Sequence, residues 1–145
     1  MLKFVALPAP LAVDEARSVT RIVDEESSAP CRRCLQDGKV GEEMVLTPYD
    51  PFLDTSPYSG LGPIFVHRKA CERYECDGSV PDQQRRRLLS VRAFDEKHML
   101  VGFAVTEGKD LAEKAEGLFK DLGAEYLHAH YAGPGCFAVR VDKVK

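Results

Sequence analysis

Two histidines, a cysteine and an arginine lie close together around one turn near the C-terminal end of the sequence. His128 and His130 precede Gly133-Pro134-Gly135, which is a strong turn signal, and Cys136 and Arg140 follow it. Because side chains alternate between the faces of a strand, the two imidazoles share one face, and the thiol shares a face with the guanidinium. Two imidazoles at this spacing suit one metal ion, but no third ligand is evident, and exposed or hydrogen-bonded histidines are the alternative. The pattern predicts a site without defining its reaction.

A thiol beside an imidazole is the arrangement of a nucleophilic enzyme. In this hypothesis Cys136 is the nucleophile and His130 is the base of a hydrolase or transferase. The strand register decides whether the two side chains meet. With a four-residue loop at 132–135, His130 faces Phe137 and lies on the opposite side of the sheet from the sulfur, whereas a loop one residue longer or shorter reverses this. The alternative is a buried or merely exposed thiol.

Arginines in apolar strands give the second hypothesis, a small-molecule or anion binding module. Arg92 and Arg140 each interrupt an otherwise apolar strand, and a buried charge must be paired or bind something. Guanidinium groups bind carboxylate and phosphate with two hydrogen bonds, so converging arginines form an anion pocket. We expect such a pocket near the C-terminal hairpin. Its other predicted lining residues are Arg32, Tyr58 and His128.

Four of the five cysteines have spacings that raise the question of a zinc site. Cys31-x-x-Cys34 is the half-site of a zinc knuckle, and Cys71 with Cys76 would complete four thiolates. However, residues three apart on an extended strand face opposite sides, and the second pair encloses four residues in an irregular segment. We therefore expect reduced structural cysteines, with no metal and no cofactor.

Length and composition fit one soluble domain spanning 1–145. Of its 145 residues, 44% are hydrophobic and 30% are charged. The net charge of -3 arises from interspersed acidic and basic residues, which argues against nucleic acid as a partner. No apolar run approaches the roughly 18 residues of a membrane span, and an odd number of cysteines is typical of a reduced, cytoplasmic protein. The sequence defines neither the ligand nor the oligomeric state.

Periodicity predicts one main helix and a set of strands. Apolar residues at helical spacing mark 109–122, and 88–94 with 99–105 form a hairpin whose second strand, apolar on both faces, should be central. The segment 68–87 is polar and irregular, typical of a solvated excursion or a binding loop. The other predicted strands are 3–7, 18–24, 43–49, 62–67, 125–131 and 136–144. We predict an α+β fold: a mainly antiparallel, twisted sheet of six to eight strands with the main helix packed on one face.

Four ordered blocks of the sequence resemble a known family. They are Pro30-Cys31-Arg32 with Leu35, Ser56-Pro57-Tyr58 with the following Gly62-Pro63-Ile64-Phe65-Val66, Leu89-Ser90-Val91-Arg92-Ala93-Phe94, and His130 with Gly135-Cys136-Phe137. Together they resemble the bacterial family called Domain of Unknown Function 1203, from about Asp24 to the end of the chain. The resemblance implies a small bacterial domain of unassigned activity and supplies no catalytic residues. In that family an asparagine usually follows the histidine that matches His130, and here the position is Tyr131.

Overall fold

A computed structural model describes residues 1–7, 12–52, 55–75 and 77–144 of the chain. These residues form eight strands and one main helix. The strands are β1 (Leu2–Val5), β2 (Val19–Ile22), β3 (Glu43–Tyr49), β4 (Gly62–His67), β5 (Leu88–Phe94), β6 (Leu100–Glu107), β7 (Tyr126–Tyr131) and β8 (Phe137–Lys143). The helices are α1 (Asp82–Arg85) and α2 (Leu111–Leu122), with 3₁₀ turns at Glu15–Arg17 and Gly108–Asp110. Each predicted strand and the predicted main helix have a counterpart within a few residues of the expected bounds.

The strands form two antiparallel sheets instead of the one sheet that we expected. Five strands pair in the order β1-β8-β7-β5-β6, and three pair in the order β2-β3-β4. The second sheet stops at β4 because another segment occupies the outer edge of that strand: Cys31 makes a parallel bridge to Phe65, and the Arg32 N–H donates to the Phe65 carbonyl at 3.0 Å. The α+β, mainly antiparallel class is confirmed.

Helix α2 packs on one face of the five-stranded sheet. Its apolar stripe of Leu111, Ala115 and Phe119 is buried in one cluster with Val91 and Leu127 of the sheet. The helix ends at Gly123, whose φ of 63° is the left-handed conformation that glycine adopts readily at this position. This leaves the opposite face of the sheet, which carries the alternate residues of each strand, for other uses.

The prediction that 99–105 is a central strand is wrong. The corresponding strand β6 lies at the edge of the five-stranded sheet, and the side chains of Phe103 and Val105 are 72% and 65% exposed. An uninterrupted apolar run is typical of a strand buried on both faces, but here it leaves large apolar side chains in contact with solvent.

The segment 68–87 is not a solvated excursion throughout. In α1, Gln83 and Gln84 are fully buried, and both bond the Tyr131 hydroxyl: it receives a hydrogen bond from Gln84 Nε2 at 2.9 Å and donates one to Gln83 Oε1 at 2.8 Å. Arg87 forms a half-buried ion pair with Asp37 at 3.1 Å. Among the described residues, no helix is long and apolar enough to cross a membrane.

Candidate ligand-binding site

Strand register collects the predicted polar residues on the sheet face that α2 leaves uncovered. Arg92 on β5 lies opposite His128 on β7, and His128 lies opposite Arg140 on β8. Residues two apart on the same strands, such as His130, share this face. It is the face opposite Val91 and its neighbours, which pack against the helix. Three of the predicted site residues therefore form one row across three adjacent strands.

A cavity of about 670 Å³ opens between this face and the two described segments 49–52 and 55–63. Its polar lining comes from Ser90, Arg92, His130 and Cys136. Its aromatic lining comes from Tyr49, Phe52, Tyr58, Phe94, Phe103 and Phe137. The second of these segments is tied to the β5–β6 connection, since the Ser56 hydroxyl donates to the His98 carbonyl at 2.7 Å. The cavity thus combines a largely aromatic wall with a small cluster of polar groups.

Arg92 and His130 form the polar centre of the cavity. His130 Nδ1 lies 3.0 Å from the Gly135 carbonyl oxygen, which only accepts, so this nitrogen carries the proton. The other nitrogen, Nε2, then accepts from Arg92 Nη1 at 3.4 Å. The pKa of His130 is lowered to about 4, mainly by burial and in smaller part by the charges of Arg92 and Arg32, while the hydrogen bond to Gly135 opposes the shift. The imidazole is therefore neutral at pH 7.

Arg140 does not line the cavity, although it lies in the same row. Its Nε donates to Asp142 Oδ1 at 2.7 Å, and its guanidinium lies over the Tyr126 ring, 4.2 Å from the ring centre. Both contacts satisfy the charge within the protein. Of the two arginines, Arg92 lines the cavity, whereas Arg140 is paired within the protein.

His128 is fully buried and does not reach the cavity. Its ring lies 4.8 to 5.2 Å from four aromatic rings, those of Phe52, Phe94, Tyr126 and Phe137. Neither of its ring nitrogens has a hydrogen-bond partner in the described part of the chain. Its pKa is lowered to about 3, mainly by burial and in smaller part by the neighbouring His130, Arg140 and Arg92. His128 is thus a neutral residue behind the aromatic side chains of Phe52, Phe94 and Phe137, which do line the cavity.

Cys136 is paired with an arginine and not with a histidine. Arg32, which is 1% exposed, donates from Nη2 to Cys136 Sγ at 3.0 Å and from Nε to the Phe137 carbonyl at 2.7 Å. His130 lies opposite Phe137, as we predicted for a four-residue loop, and a bulge follows Ala129. No hydrogen bond joins the cysteine to His130 within the described chain, so the two side chains of the nucleophile–base hypothesis are not paired with each other in this structure.

Tyr58 lies at the rim of the cavity, 46% exposed, with its ring 5.7 Å from that of Phe94. Sequence reasoning missed Ser90 and Phe103 as lining residues. The signal for Ser90 was present in the sequence, because Ser90 lies two residues before Arg92 on β5 and therefore shares its face of the sheet. Phe103 pairs directly with Arg92 across the β5–β6 register, which the sequence alone does not define.

A second cluster of reactive side chains lies away from the cavity. Cys31, Cys34, His67 and Cys71 place one sulfur or nitrogen atom each within 4.8 Å of all the others. The sequence had suggested Cys31, Cys34 and Cys71 together with Cys76, which lies outside the described residues. The objection that Cys31 and Cys34 face opposite sides of a strand fails because the chain turns there, with the Leu35 N–H donating to the Cys31 carbonyl at 3.1 Å.

Comparison with known proteins identifies a family for most of the chain. No curated protein and no solved structure matches it. A family model matches residues 28–143, which include the cavity residues and the cysteine–histidine cluster described above. That family carries the description "Protein of unknown function (DUF1203)". Because the match covers most of the chain, the protein belongs to this family, protein of unknown function (DUF1203).

Proposed function

We propose that the protein is a binding module for a small carboxylate with a flat apolar body, held in the cavity by Arg92. The observation that carries the proposal is that this guanidinium has no carboxylate partner among the described residues. Arg92 is half-buried at the cavity wall, and in the described part of the chain its one hydrogen-bond partner is His130, with no carboxylate in ion-pair distance. Its other N–H groups are free to donate to a carboxylate in the two-bond geometry that guanidinium favours.

The surroundings of Arg92 favour an anion over a cation. His130 is neutral, so it adds no competing positive charge and orients the guanidinium through its Nε2 lone pair. Arg32 adds a second positive charge near His130, and its own partners are two carbonyl oxygens and a thiol. In this partly desolvated cavity a negative ligand group gains more than it would in water.

The aromatic wall favours a flat apolar body on the ligand. Six aromatic side chains line the cavity, and its volume of about 670 Å³ lies within the range of small-molecule sites. Phe103 and Tyr58 remain 72% and 46% exposed at the rim, where a bound ring would cover them. An aryl or heteroaryl carboxylate therefore fits both features better than a phosphate or a short aliphatic acid.

Catalysis by Cys136 is the less well supported function. The thiol lines the cavity, but its neighbour is the Arg32 guanidinium, which stays charged at physiological pH and accepts no proton. A general base within hydrogen-bond reach of the sulfur is missing from the described chain. Cys136 is better explained as a wall residue that Arg32 holds in place.

The test uses matched pairs of ligands and matched variants. Benzoate and naphthoate are compared with their uncharged amides by calorimetry and by thermal shift. We expect the acids to bind and the amides to bind at least about tenfold more weakly, because charged hydrogen bonds contribute roughly 1.5 kcal/mol or more each. Arg92→Gln should remove the preference for the acid.

Arg140→Gln is the matched control, since it removes a charge from the same row outside the cavity. It should leave binding of the acids within about twofold. Equal binding of acid and amide by the wild-type protein, or an equal loss in the Arg92 and Arg140 variants, would overturn the proposed function.

A further inference from the structure

The spacing of the cysteine–histidine cluster matches a tetrahedral zinc site. Cys31 Sγ lies 3.8 Å from Cys71 Sγ, and Cys34 Sγ lies 3.5 Å from His67 Nδ1. A zinc ion holds sulfur at about 2.3 Å and nitrogen at about 2.0–2.1 Å, so tetrahedral geometry sets sulfur pairs about 3.8 Å apart and sulfur–nitrogen pairs about 3.6 Å apart. Both observed distances agree with these edges.

Two neighbouring side chains, Glu42 and Arg33, contact members of the cluster in the way that residues around a metal site orient and balance its ligands. Glu42 Oε1 lies 3.4 Å from His67 Nε2, so the carboxylate can accept the proton of that nitrogen and leave the Nδ1 lone pair directed at the cluster. The buried Arg33 donates from Nε to Cys71 Sγ at 3.0 Å. With three thiolates and one Zn²⁺ the centre carries one negative charge, which this guanidinium balances.

The backbone holds the first two ligands in an unusual turn. Leu35, directly after Cys34, has φ of 55°, a left-handed conformation that is costly for a leucine. The turn is fixed on both sides, because the Cys31 N–H donates to the Gln36 carbonyl and the Tyr74 N–H donates to the Arg33 carbonyl. The turn brings both sulfurs to the side where β4 ends at His67 and Cys71 follows.

We propose that Cys31, Cys34, His67 and Cys71 bind one structural Zn²⁺ ion. Three sulfur donors and one imidazole select zinc over magnesium or calcium, which prefer oxygen. All four positions of a tetrahedral ion are filled by the protein, so the centre has no open position for a substrate. The site stands apart from the carboxylate cavity and does not depend on the proposed function.

A disulfide explains the cluster less well. A Cys31–Cys71 bridge needs its sulfurs about 2.05 Å apart, whereas they are separated by 3.8 Å. It would also leave the approach of Cys34 to His67 and the orientation of His67 by Glu42 without a role. A metal ion accounts for all four side chains together.

The first test is the metal content and cobalt binding of the full chain. Protein purified under reducing conditions should contain about one zinc per chain by elemental analysis. After removal of metal with a chelator, Co²⁺ alone should bind at one equivalent. The spectrum should contain the intense d–d bands of a tetrahedral ion and a thiolate-to-cobalt charge-transfer band, and Zn²⁺ should abolish both.

Variants assign the ligands. Cys71→Ser should weaken Co²⁺ binding at least tenfold, and Cys136→Ser, which changes a cysteine outside the cluster, should not alter it. If the first variant does not fold, His67→Cys decides: it should keep one equivalent of Co²⁺ and strengthen the charge-transfer band, because a fourth thiolate replaces the imidazole. Failure of the reduced wild-type protein to bind Co²⁺ or Zn²⁺, loss of binding in Cys136→Ser, or an unchanged band in His67→Cys would overturn the proposal.

Discussion

At the scale of single residues, the most consequential feature behind the cavity is a buried imidazole with no hydrogen bond among the described residues. His128 is fully buried, and both of its nitrogens lack partners among the described residues. A buried polar group without a partner costs free energy that an apolar side chain of similar size does not. Natural proteins retain few such groups, and this one lies opposite Arg92 in the pairing of β5 with β7.

His128→Leu should therefore stabilise the protein. We expect the free energy of unfolding at pH 8 to rise by about 1 kcal/mol, because leucine fills a similar volume without unsatisfied nitrogens. Urea unfolding with an unchanged m-value measures this. A clear loss of stability would mean that the His128 nitrogens have a partner, such as an ordered water, and would contradict the interpretation.

The same variant should flatten the dependence of stability on pH. The pKa of His128 is lowered from 6.5 to about 3, so between these values the unfolded chain binds a proton that the folded chain does not. The free energy of unfolding is therefore highest above pH 6.5 and falls as the pH decreases from 6.5 towards 3. From pH 7 to 5.5 the wild-type protein should lose about 1 kcal/mol more than His128→Leu. Parallel losses in both proteins would contradict this.

At the scale of secondary structure, the most sharply constrained junction joins α1 to the end of β6. Gly108 directly follows β6, and its N–H donates to the Arg87 carbonyl at 2.8 Å. A Cβ at this position would overlap the backbone carbonyl of Gln84 in α1. That carbonyl is part of the backbone and cannot rotate away as a side chain can. The close approach fixes α1, whose glutamines hold Tyr131.

Two glycine substitutions should have opposite effects. Gly108→Ala should lower the free energy of unfolding by roughly 2 kcal/mol or more, because α1 must move away from the sheet. Gly117→Ala, in α2 with open space at its Cβ position, should raise it by about 0.5–1 kcal/mol. Thermal and urea unfolding of the two variants measure the contrast, and a neutral Gly108→Ala would show that the approach of α1 is not required.

Local patterns were sufficient to predict most elements, and long-range contacts account for what they missed. The strand β3 has its predicted bounds, and α2 is close to its own, because alternation and helical spacing are properties of adjacent residues. The division into two sheets depends on the bridge from Cys31 to Phe65, which no local pattern encodes. The turn after Cys34 has a leucine where a glycine would signal positive φ, so the local sequence pattern does not predict the turn.

The same distinction applies to the site. Arg92 and His130 were found because a charge within an apolar strand and an imidazole beside a turn are visible in the sequence. Their meeting depends on the long-range register of β5 with β7. The partner of Arg140 is different, because Asp142 lies two residues away on the same face of β8 and was a local signal that the sequence interpretation missed. His67 was not recognised as a companion of the cysteines because 33 positions separate it from Cys34.

At the scale of the whole molecule, the proposed zinc site connects segments that have little regular structure. The ligands lie on the turn after β2, at the end of β4 and in the irregular stretch that follows. Arg32, within the same turn, reaches across to Cys136 and Phe137 beside the cavity. The ion would therefore hold the three-stranded sheet, the turn and the C-terminal hairpin in their relative positions.

Removing the metal should lower the stability of the entire fold. With free zinc at a thousand times its dissociation constant, binding contributes about 4 kcal/mol to the free energy of unfolding. For a chain of this length that corresponds to a decrease in Tm of roughly 10 °C on adding a chelator, and the Tm should recover when zinc is restored. The measurement is thermal unfolding under reducing conditions, with the zinc-loaded and the chelated protein compared at one pH.

A Cys71→Ser variant supplies the control for chelator effects on other groups. If it folds, its Tm should lie near that of the chelated wild-type protein and should shift little on further chelation, because the ion that chelation removes is already weakly held. If it does not fold, Cys136→Ser takes its place and should show the full wild-type decrease, since its four ligands are intact. A wild-type Tm that does not change with chelator, in protein that contains zinc beforehand, would mean that the ion does not contribute to folding.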